Sequence, residues 1–418
     1  MTVFTAVLVF ALGLVAWAAS ERYYEENLAP AASIEGRVIP KRDFLEQRDY
    51  ELVRFYQDFG VPPGFENDPQ LLSQKAAYDD VALDVLIEQR ILELEARAAG
   101  YQPSAADVER QYEVQFGQFN VRHILIQVPT DEADQELADL NGAARARAVL
   151  NELKAAPQDQ ALWNDLAAQY SDDPGSKFSG GDLGFASSGQ YVAEFEDAIR
   201  TLEVGQLSDL VKTQFGYHII QLRERKPPAE NELVKRYLTS GFTEADLRAQ
   251  ARYTAMRREF ERRARSESVT SPTEQVHVAK IVVNVPLPTV EGFEQFTEAL
   301  QKQTDVRTGL EQGKDFAELA KQYSEDSATK EAGGDAGWVA RGMTVDPASE
   351  EAIFSTAVGS NTTGVTTGSQ WTVYRVLEKE ASRELDAKQK RTISDSAYGY
   401  WLERTKRERG VTKHILGF

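Results

Sequence analysis

The order of motifs in residues 121–226 occurs a second time in residues 278–380. "VRHILIQV" (121–128) answers to "VAKIVVNV" (278–285), and "LWNDLAAQYSDD" (162–173) to "FAELAKQYSED" (316–326). "GGDLGF" (180–185) answers to "GGDAGW" (333–338), and "YHIIQLRERK" (217–226) to "WTVYRVLEKE" (371–380). The offset between the copies stays between 153 and 157 residues. A repeat of about 105 residues is long enough to hold a core of its own, so the duplication marks out two like domains, 119–226 and 275–380. Each opens on a β-branched strand, passes through helical stretches and a glycine turn, and closes on a second strand.

The rest of the chain reads as helix. In 33–118, "ALDVLIEQRILELEARAAG" (82–100) places Leu83, Leu86, Ile87, Ile91 and Leu94 on one face, with Gly100 as its stop. Ser104 and Asp107 form a capping box for the next helix, which carries Val108, Tyr112 and Phe116. "GVPPGFENDP" (60–69) is a loop by its Pro and Gly content. Pro227-Pro228 ends the first copy, and 227–274 is a helical connector. Its arginines 257, 258, 262, 263 and 265 read as a solvated face paired to local acids rather than a lipid-binding face. In 381–418 a last amphipathic helix puts Ile393, Ala397, Tyr400 and Trp401 on one face. Such a helix needs a partner surface, and the 33–118 bundle is the expected one.

Composition removes several classes of function. A net charge of −19 disfavours a nucleic-acid partner, whose phosphates would be repelled. The absence of cysteine excludes disulfides, thiolate catalysis, Cys-based zinc sites and a lipidated cysteine. Residues 2–19 are an uncharged apolar run of roughly 27 Å as a helix, close to the thickness of a hydrocarbon core. Trp17, Tyr23 and Tyr24 would form its interfacial belt. Segment 1–32 is therefore read as a retained single-pass anchor in preference to a cleaved signal peptide with Ala16-Trp17-Ala18 at its cleavage site. Both readings place the remainder outside the cytoplasm.

Two of the four histidines, His123 and His218, lie mid-strand in the first copy. Strand alternation puts His123 with Leu125, and His218 with Ile220 and Leu222. Paired imidazoles can lock each other's tautomer through a hydrogen bond. A lone buried histidine is more often a satisfied core residue, but a pair in one domain favours chemistry. In the second copy Lys280 and Thr372 take their places, Ala336 replaces Leu183, and Asp326 stands opposite Asp173. No histidine or carboxylate cluster has metal-ligand spacing, and no metal or cofactor is expected.

The first copy resembles the parvulin family of peptidyl-prolyl cis-trans isomerases. The resemblance rests on "RHILI" (122–126), "YSDD" (170–173), "GGDLGF" (180–185), "SSGQYVAEFEDAI" (187–199) and "FGYHII" (215–220), in order. It implies that His123 and His218 are the central histidine pair, with Asp173 and Thr213 as the polar groups beside them. It implies that Leu183, Tyr191, Phe195 and Phe215 line the substrate-proline pocket, Tyr191 standing where Met is usual. For Phe195 and Phe215, plain core residues are an equal reading. The family's phosphate-selective branch carries a basic cluster after the first strand. None occurs at 127–135, so phosphorylated substrate is not required. The second copy is expected to have little or no isomerase activity.

The whole layout is similar to the extracytoplasmic foldase group that includes SurA and PrsA. The implied fold class is α+β: a membrane helix, a helical chaperone-like domain completed by the C-terminal helix, and two domains of a small antiparallel sheet flanked by helices. The implied function is isomerase and chaperone for unfolded exported polypeptides containing X-Pro bonds, without nucleotide. The alternative is an ATP-independent holdase whose parvulin modules are scaffolds. Two features depart from the group's members: here the first module keeps the histidines, and no cysteine is present for lipidation.

Overall fold

The structure, a computed structural model, describes residues 20, 23–24, 28–62, 72–129, 135–268, 270–286, 293–344 and 346–414. The apolar segment 2–19 and most of the 60–69 loop lie outside the described residues. Among those described, no helix is long and apolar enough to cross a membrane. The chain divides into two compact units, Arg42–Met256 and Met1–Lys41 with Arg257–Phe418.

The described chain opens on a hairpin, β1 (Pro30–Ile34) and β2 (Arg37–Pro40), which belongs to the second of these units. The 42–256 unit begins with α1 (Lys41–Asp58), α2 (Leu72–Ala98) and α3 (Ala105–Phe116). The Ser104–Asp107 capping box is formed at the start of α3. Strand β3 (Gln118–Ile126) follows, then α4 (Gln135–Ala155), α5 (Gln160–Tyr170), β4 (Asp182–Ser187), α6 (Ala193–Thr201), β5 (Val211–Thr213) and β6 (Gly216–Lys226). The strands form one antiparallel sheet in the order β4-β3-β6-β5. His123 lies opposite Ile220 and Leu125 opposite His218, so both histidines are on one face. The other face carries Ile124, Ile126 and Ile219, which pack on Val149, Leu150 and Leu153 of α4 and Trp163 and Leu166 of α5. On the histidine face Val121, Ile220 and Leu222 pack against Phe195 and Ile199 of α6.

Helices α7 (Glu232–Thr239) and α8 (Glu244–Ser268) come next. Their residues Val234, Tyr237, Leu247 and Ala251 share a core with Tyr50 and Val53 of α1 and Tyr112 and Phe116 of α3. Tyr237 stacks on Tyr50 with ring centroids 4.6 Å apart. The stretch read as a connector therefore supplies part of the helical core. Sequence periodicity reports which face of a helix is apolar, not which distant helix covers it.

The second copy repeats the first strand for strand. β7 (Thr273–Asn284), α9 (Phe293–Glu311), α10 (Phe316–Tyr323), β8 (Asp335–Ala340), α11 (Pro347–Ser355), β9 (Val365–Thr367) and β10 (Gln370–Arg383) build a sheet in the order β8-β7-β10-β9. The last elements are α12 (Ala387–Glu408) and β11 (Thr412–Lys413), and β11 pairs with β1. In this unit Ile393 of α12 packs with Ala340 and Leu385, and Trp401 stacks on Phe260 of α8 at 5.1 Å. The arginines of α8 pair locally, Arg257 with Glu261 and both Arg262 and Arg263 with Glu259, as expected for a solvated face.

The glycine turn has a backbone purpose in both copies. The His123 N–H donates to the Gly181 carbonyl (2.9 Å), as Lys280 does to Gly334 (2.8 Å). Gly181 sits at φ +79° and Gly334 at φ +87°. A Cβ at either would run into the carbonyl oxygen of that same partner residue. Only glycine allows this approach at this φ.

Candidate active site

The histidine face of the first sheet carries one continuous hydrogen-bonded chain. His123 Nε2 meets Asp173 Oδ2 at 2.9 Å, His123 Nδ1 meets His218 Nδ1 at 3.1 Å, and His218 Nε2 meets Thr213 Oγ1 at 2.8 Å. The Phe215 N–H donates to Thr213 Oγ1 at 3.1 Å. At the other end the Ser176 hydroxyl and the Gly175 N–H donate to Asp173.

The electrostatics place every proton. Burial tends to raise the Asp173 carboxyl, but donation from Ser176, His123 and Gly175 prevails and holds it at about 2. It is an acceptor only, so His123 carries its proton on Nε2. Burial lowers both imidazoles, His218 to about 4 with the His123 charge as a second cause, and His123 against the upward pull of Asp173. Both rings are neutral at pH 7, so His123 Nδ1 is bare and accepts from His218 Nδ1–H. His218 Nε2 then accepts from the Thr213 hydroxyl. The pair is 6% and 4% exposed, and the proton order leaves no ring nitrogen of the chain unpaired.

An aromatic wall stands over this polar floor. The ring of Phe195 of α6 stands nearly perpendicular to both imidazoles, with centroids at 5.6 Å from His123 and 5.3 Å from His218. Tyr191 packs on Phe195 at 4.8 Å, and Leu183 joins the same cluster. Phe215 is half exposed and touches the network through its backbone. All eight residues singled out in the sequence thus belong to one module, seven of them at the floor or the wall. Phe195 is both core and wall, so its two readings are not exclusive.

The family model for the PPIC-type PPIASE domain matches residues 109–226 and again 263–380. The chain belongs to this family, the parvulins. "Chaperone SurA" of Methylobacillus flagellatus is 31% identical over 307 residues, 72% of this chain and 58% of that protein. "Chaperone SurA" of Nitrosospira multiformis is 32% identical over 347 residues, 81% of this chain and 67% of that protein. The chain spans 58% of the one and 67% of the other. The crystal structure of the isomerase PrsA from Bacillus cereus is 23% identical with a TM-score of 0.25, covering 54% of this chain and 75% of that one.

The second parvulin module keeps the frame and changes the site. Lys280 pairs with Asp326 at 2.9 Å where His123 meets Asp173. Thr372 lies opposite Val282, the place of His218 opposite Leu125. By the same register Tyr374 stands where Ile220 does, and Ala336 and Ser349 where Leu183 and Phe195 do. Tyr374 and Ala336 both pack against the buried cluster of Val276, Val278, Ile353, Phe354 and Val376. A tyrosine thus stands in the second sheet at the position of Ile220.

Sequence reasoning missed Ser176. The repeat contains the signal: Asp173 and Ser176 correspond to Asp326 and Thr329, and the Thr329 hydroxyl donates to Asp326 at 2.6 Å. A hydroxyl three residues after the aspartate is common to both copies.

The buried pair makes stability pH-dependent. Unfolded histidine takes up a proton below its ordinary value of about 6.5, whereas folded His218 resists until about 4. The unfolded state binds more protons between these values, so stability falls as pH drops through this window, by up to about 3 kcal/mol. The contribution of Asp173 survives to lower pH and is lost only as pH falls from about 3.8 towards 2. Urea unfolding at pH 7.5 and 4.5 is expected to show a clear drop in the midpoint of the first module, and a smaller drop in His218→Gln. Equal drops would contradict the assignment.

Proposed function

We propose that this chain is an extracytoplasmic peptidyl-prolyl cis-trans isomerase and chaperone that assists the folding of exported proteins. The observation that carries the reading is the Asp173–His123–His218–Thr213 chain under the Leu183–Tyr191–Phe195 wall, set beside its replacement in the second module. Rotation about an X-Pro bond faces a barrier of about 18–20 kcal/mol and breaks no σ-bond, so neither nucleophile nor metal is needed. Halfway through rotation the amide loses resonance, its carbonyl becomes less polar and its nitrogen gains a lone pair. An apolar wall that takes the proline ring out of water favours this less polar form, and a neutral, preorganised floor solvates it without reorganising.

In this reading the first module is the isomerase and the second binds or spaces. The test is proline-peptide isomerisation by the full chain. Restoring the histidines alone, with Lys280→His and Thr372→His, is expected to add no activity to a chain whose first site is disabled, because Tyr374 occupies the place of the substrate ring. Adding Tyr374→Ile and Ser349→Phe is the condition under which activity should appear. Activity from the histidine pair alone would contradict the role given to Tyr374.

The clients are unfolded exported polypeptides, held by the helical domain, and segment 2–19 anchors the chain in the membrane. Removing residues 1–27, which leaves β1 whole, should move the protein from the membrane pellet to the soluble fraction. A truncated chain that stays in the pellet refutes the anchor, and a mature N-terminus after residue 18 identifies a cleaved signal instead. A chain that suppresses client aggregation but isomerises nothing is a holdase with parvulin scaffolds.

A further inference from the structure

Tyr191 is part of the pocket wall but lies in the loop before α6, so something must hold that loop. Glu196, in the first turn of α6 and only 6% exposed, does so from within. Its carboxylate accepts from the Gly189 N–H (2.5 Å), the Ser188 hydroxyl (2.9 Å) and the Tyr191 N–H (3.4 Å). A buried carboxylate is tolerated when donors surround it, and here the donors are the loop itself.

On the outer side of the loop, one side chain reaches in from a helix outside the module, Arg54, which also pairs with Asp58 at 3.7 Å. Gly189 sits at φ +91°, and a Cβ on it would lie 2.6 Å from Nη2 of Arg54 on α1. At the far end of α6, Arg200 donates to Gln111 of α3 at 2.7 Å, and Gln111 is buried. The helical domain thus touches α6 and its loop at both ends.

The second module repeats the arrangement with another helix. Glu350, at the place of Glu196 and 4% exposed, accepts from the Gly342 N–H at 2.6 Å. A Cβ on Gly342 would lie 3.6 Å from Ile393 of α12. The Ser396 hydroxyl donates to the Gly342 carbonyl at 2.6 Å, and Tyr400 donates to Glu350 at 2.7 Å. The same glycine, backed by the same buried glutamate, meets an external helix in both copies. The chemistry of the contact differs, with arginine in one and an apolar and hydroxyl face in the other.

We propose that the glycine loop backed by glutamate is the helix-docking face of this module. In the first copy, Arg54 and Glu196 are positioning residues that set Tyr191 against the substrate proline. The helical domain is then part of the isomerase: it fixes how well the pocket holds substrate, while the histidine chain sets the rate of rotation. This rests on the isomerase reading and adds to it a residue 65 positions before the module begins.

The experiment measures kcat and KM of the full chain on a proline tetrapeptide, with the affinity for the same labelled peptide by fluorescence anisotropy. Arg54→Ala is expected to raise KM and Kd about fivefold with kcat within twofold, and Arg54→Lys to recover part of the loss. Glu196→Gln, which keeps shape but weakens acceptance from the loop N–H groups, should shift the same constants in the same direction. Arg48→Ala, on the same helix, is the control and should shift neither. Wild-type turnover with KM and Kd unmoved by Arg54→Ala overturns the docking proposal alone. A parallel fall in kcat without a change in KM or Kd also overturns it. A wild-type chain that neither turns over nor binds the peptide overturns both this and the isomerase reading.

Discussion

Gly181→Ala is expected to unfold the first parvulin module or destabilise it by at least about 3 kcal/mol. An alanine at φ +79° costs roughly 1–2 kcal/mol in backbone strain. The larger part comes from position. The new methyl would overlap the His123 carbonyl, which belongs to the central strand and cannot retreat as a flexible side chain would. Relief requires β4 to part from β3, which leaves the His123 N–H and the Gly181 carbonyl without partners at about 1–3 kcal/mol for each buried group. Isomerase activity should vanish with the fold. Gly184→Ala separates the two causes. Its φ is +70°, but a Cβ there meets nothing within 4 Å, so it should cost only about 1–2 kcal/mol of strain. Gly334→Ala should damage the second module in the same way as Gly181→Ala damages the first, and leave isomerisation intact. Thermal or urea unfolding of the three variants checks all of this, and equal stability of Gly181→Ala and Gly184→Ala would contradict the close-approach argument.

Phe195→Ala is expected to cost about 3–5 kcal/mol in stability, the usual range for a buried phenylalanine. It is also expected to lower kcat/KM about 100-fold, because it removes the apolar ceiling and the perpendicular ring that positions both imidazoles. Phe195→Leu distinguishes packing from positioning. Leucine refills most of the volume, so the stability loss should shrink to about 1–2 kcal/mol. It offers no aromatic ring to the histidines, so a loss in kcat/KM of about tenfold should remain. Activity that returns in proportion to stability would reduce Phe195 to a core residue. Retained activity in Phe195→Ala would remove the wall from the mechanism.

The two modules and the polar floor were legible because their signals are local or repeated. The duplication is visible in the structure as one strand order built twice, β4-β3-β6-β5 and β8-β7-β10-β9. Period-two alternation grouped His123 with Leu125 and His218 with Ile220, and the register then places both histidines on one face. The capping box at Ser104 is present as read. Three features were not legible, each for a physical reason. Ser176 is an ordinary turn residue until its partner Asp173 is known to accept from it. Tyr374 follows the same alternation as Ile220, and its role depends on the volume vacated by Ala336 and Ser349 from other elements. The helical core joins α1 to α7 through Tyr50 and Tyr237, residues that no periodicity connects. The docking of Arg54 on Gly189 is of the same kind. The apolar segment 2–19 lies outside the described residues, and its role as an anchor rests on the proposal and its fractionation test.

The central claim is that prolyl isomerisation takes place on the histidine chain of the first module and nowhere else in this protein. The most direct measurement is the rate of cis-trans isomerisation of a proline tetrapeptide by three full-length proteins: wild type, His123→Ala with His218→Ala, and Lys280→Ala with Thr372→Ala. The account predicts that the histidine variant loses about 100-fold or more in kcat/KM while the lysine–threonine variant matches wild type. A histidine variant that isomerises as fast as wild type, or a lysine–threonine variant that loses the activity, would contradict it.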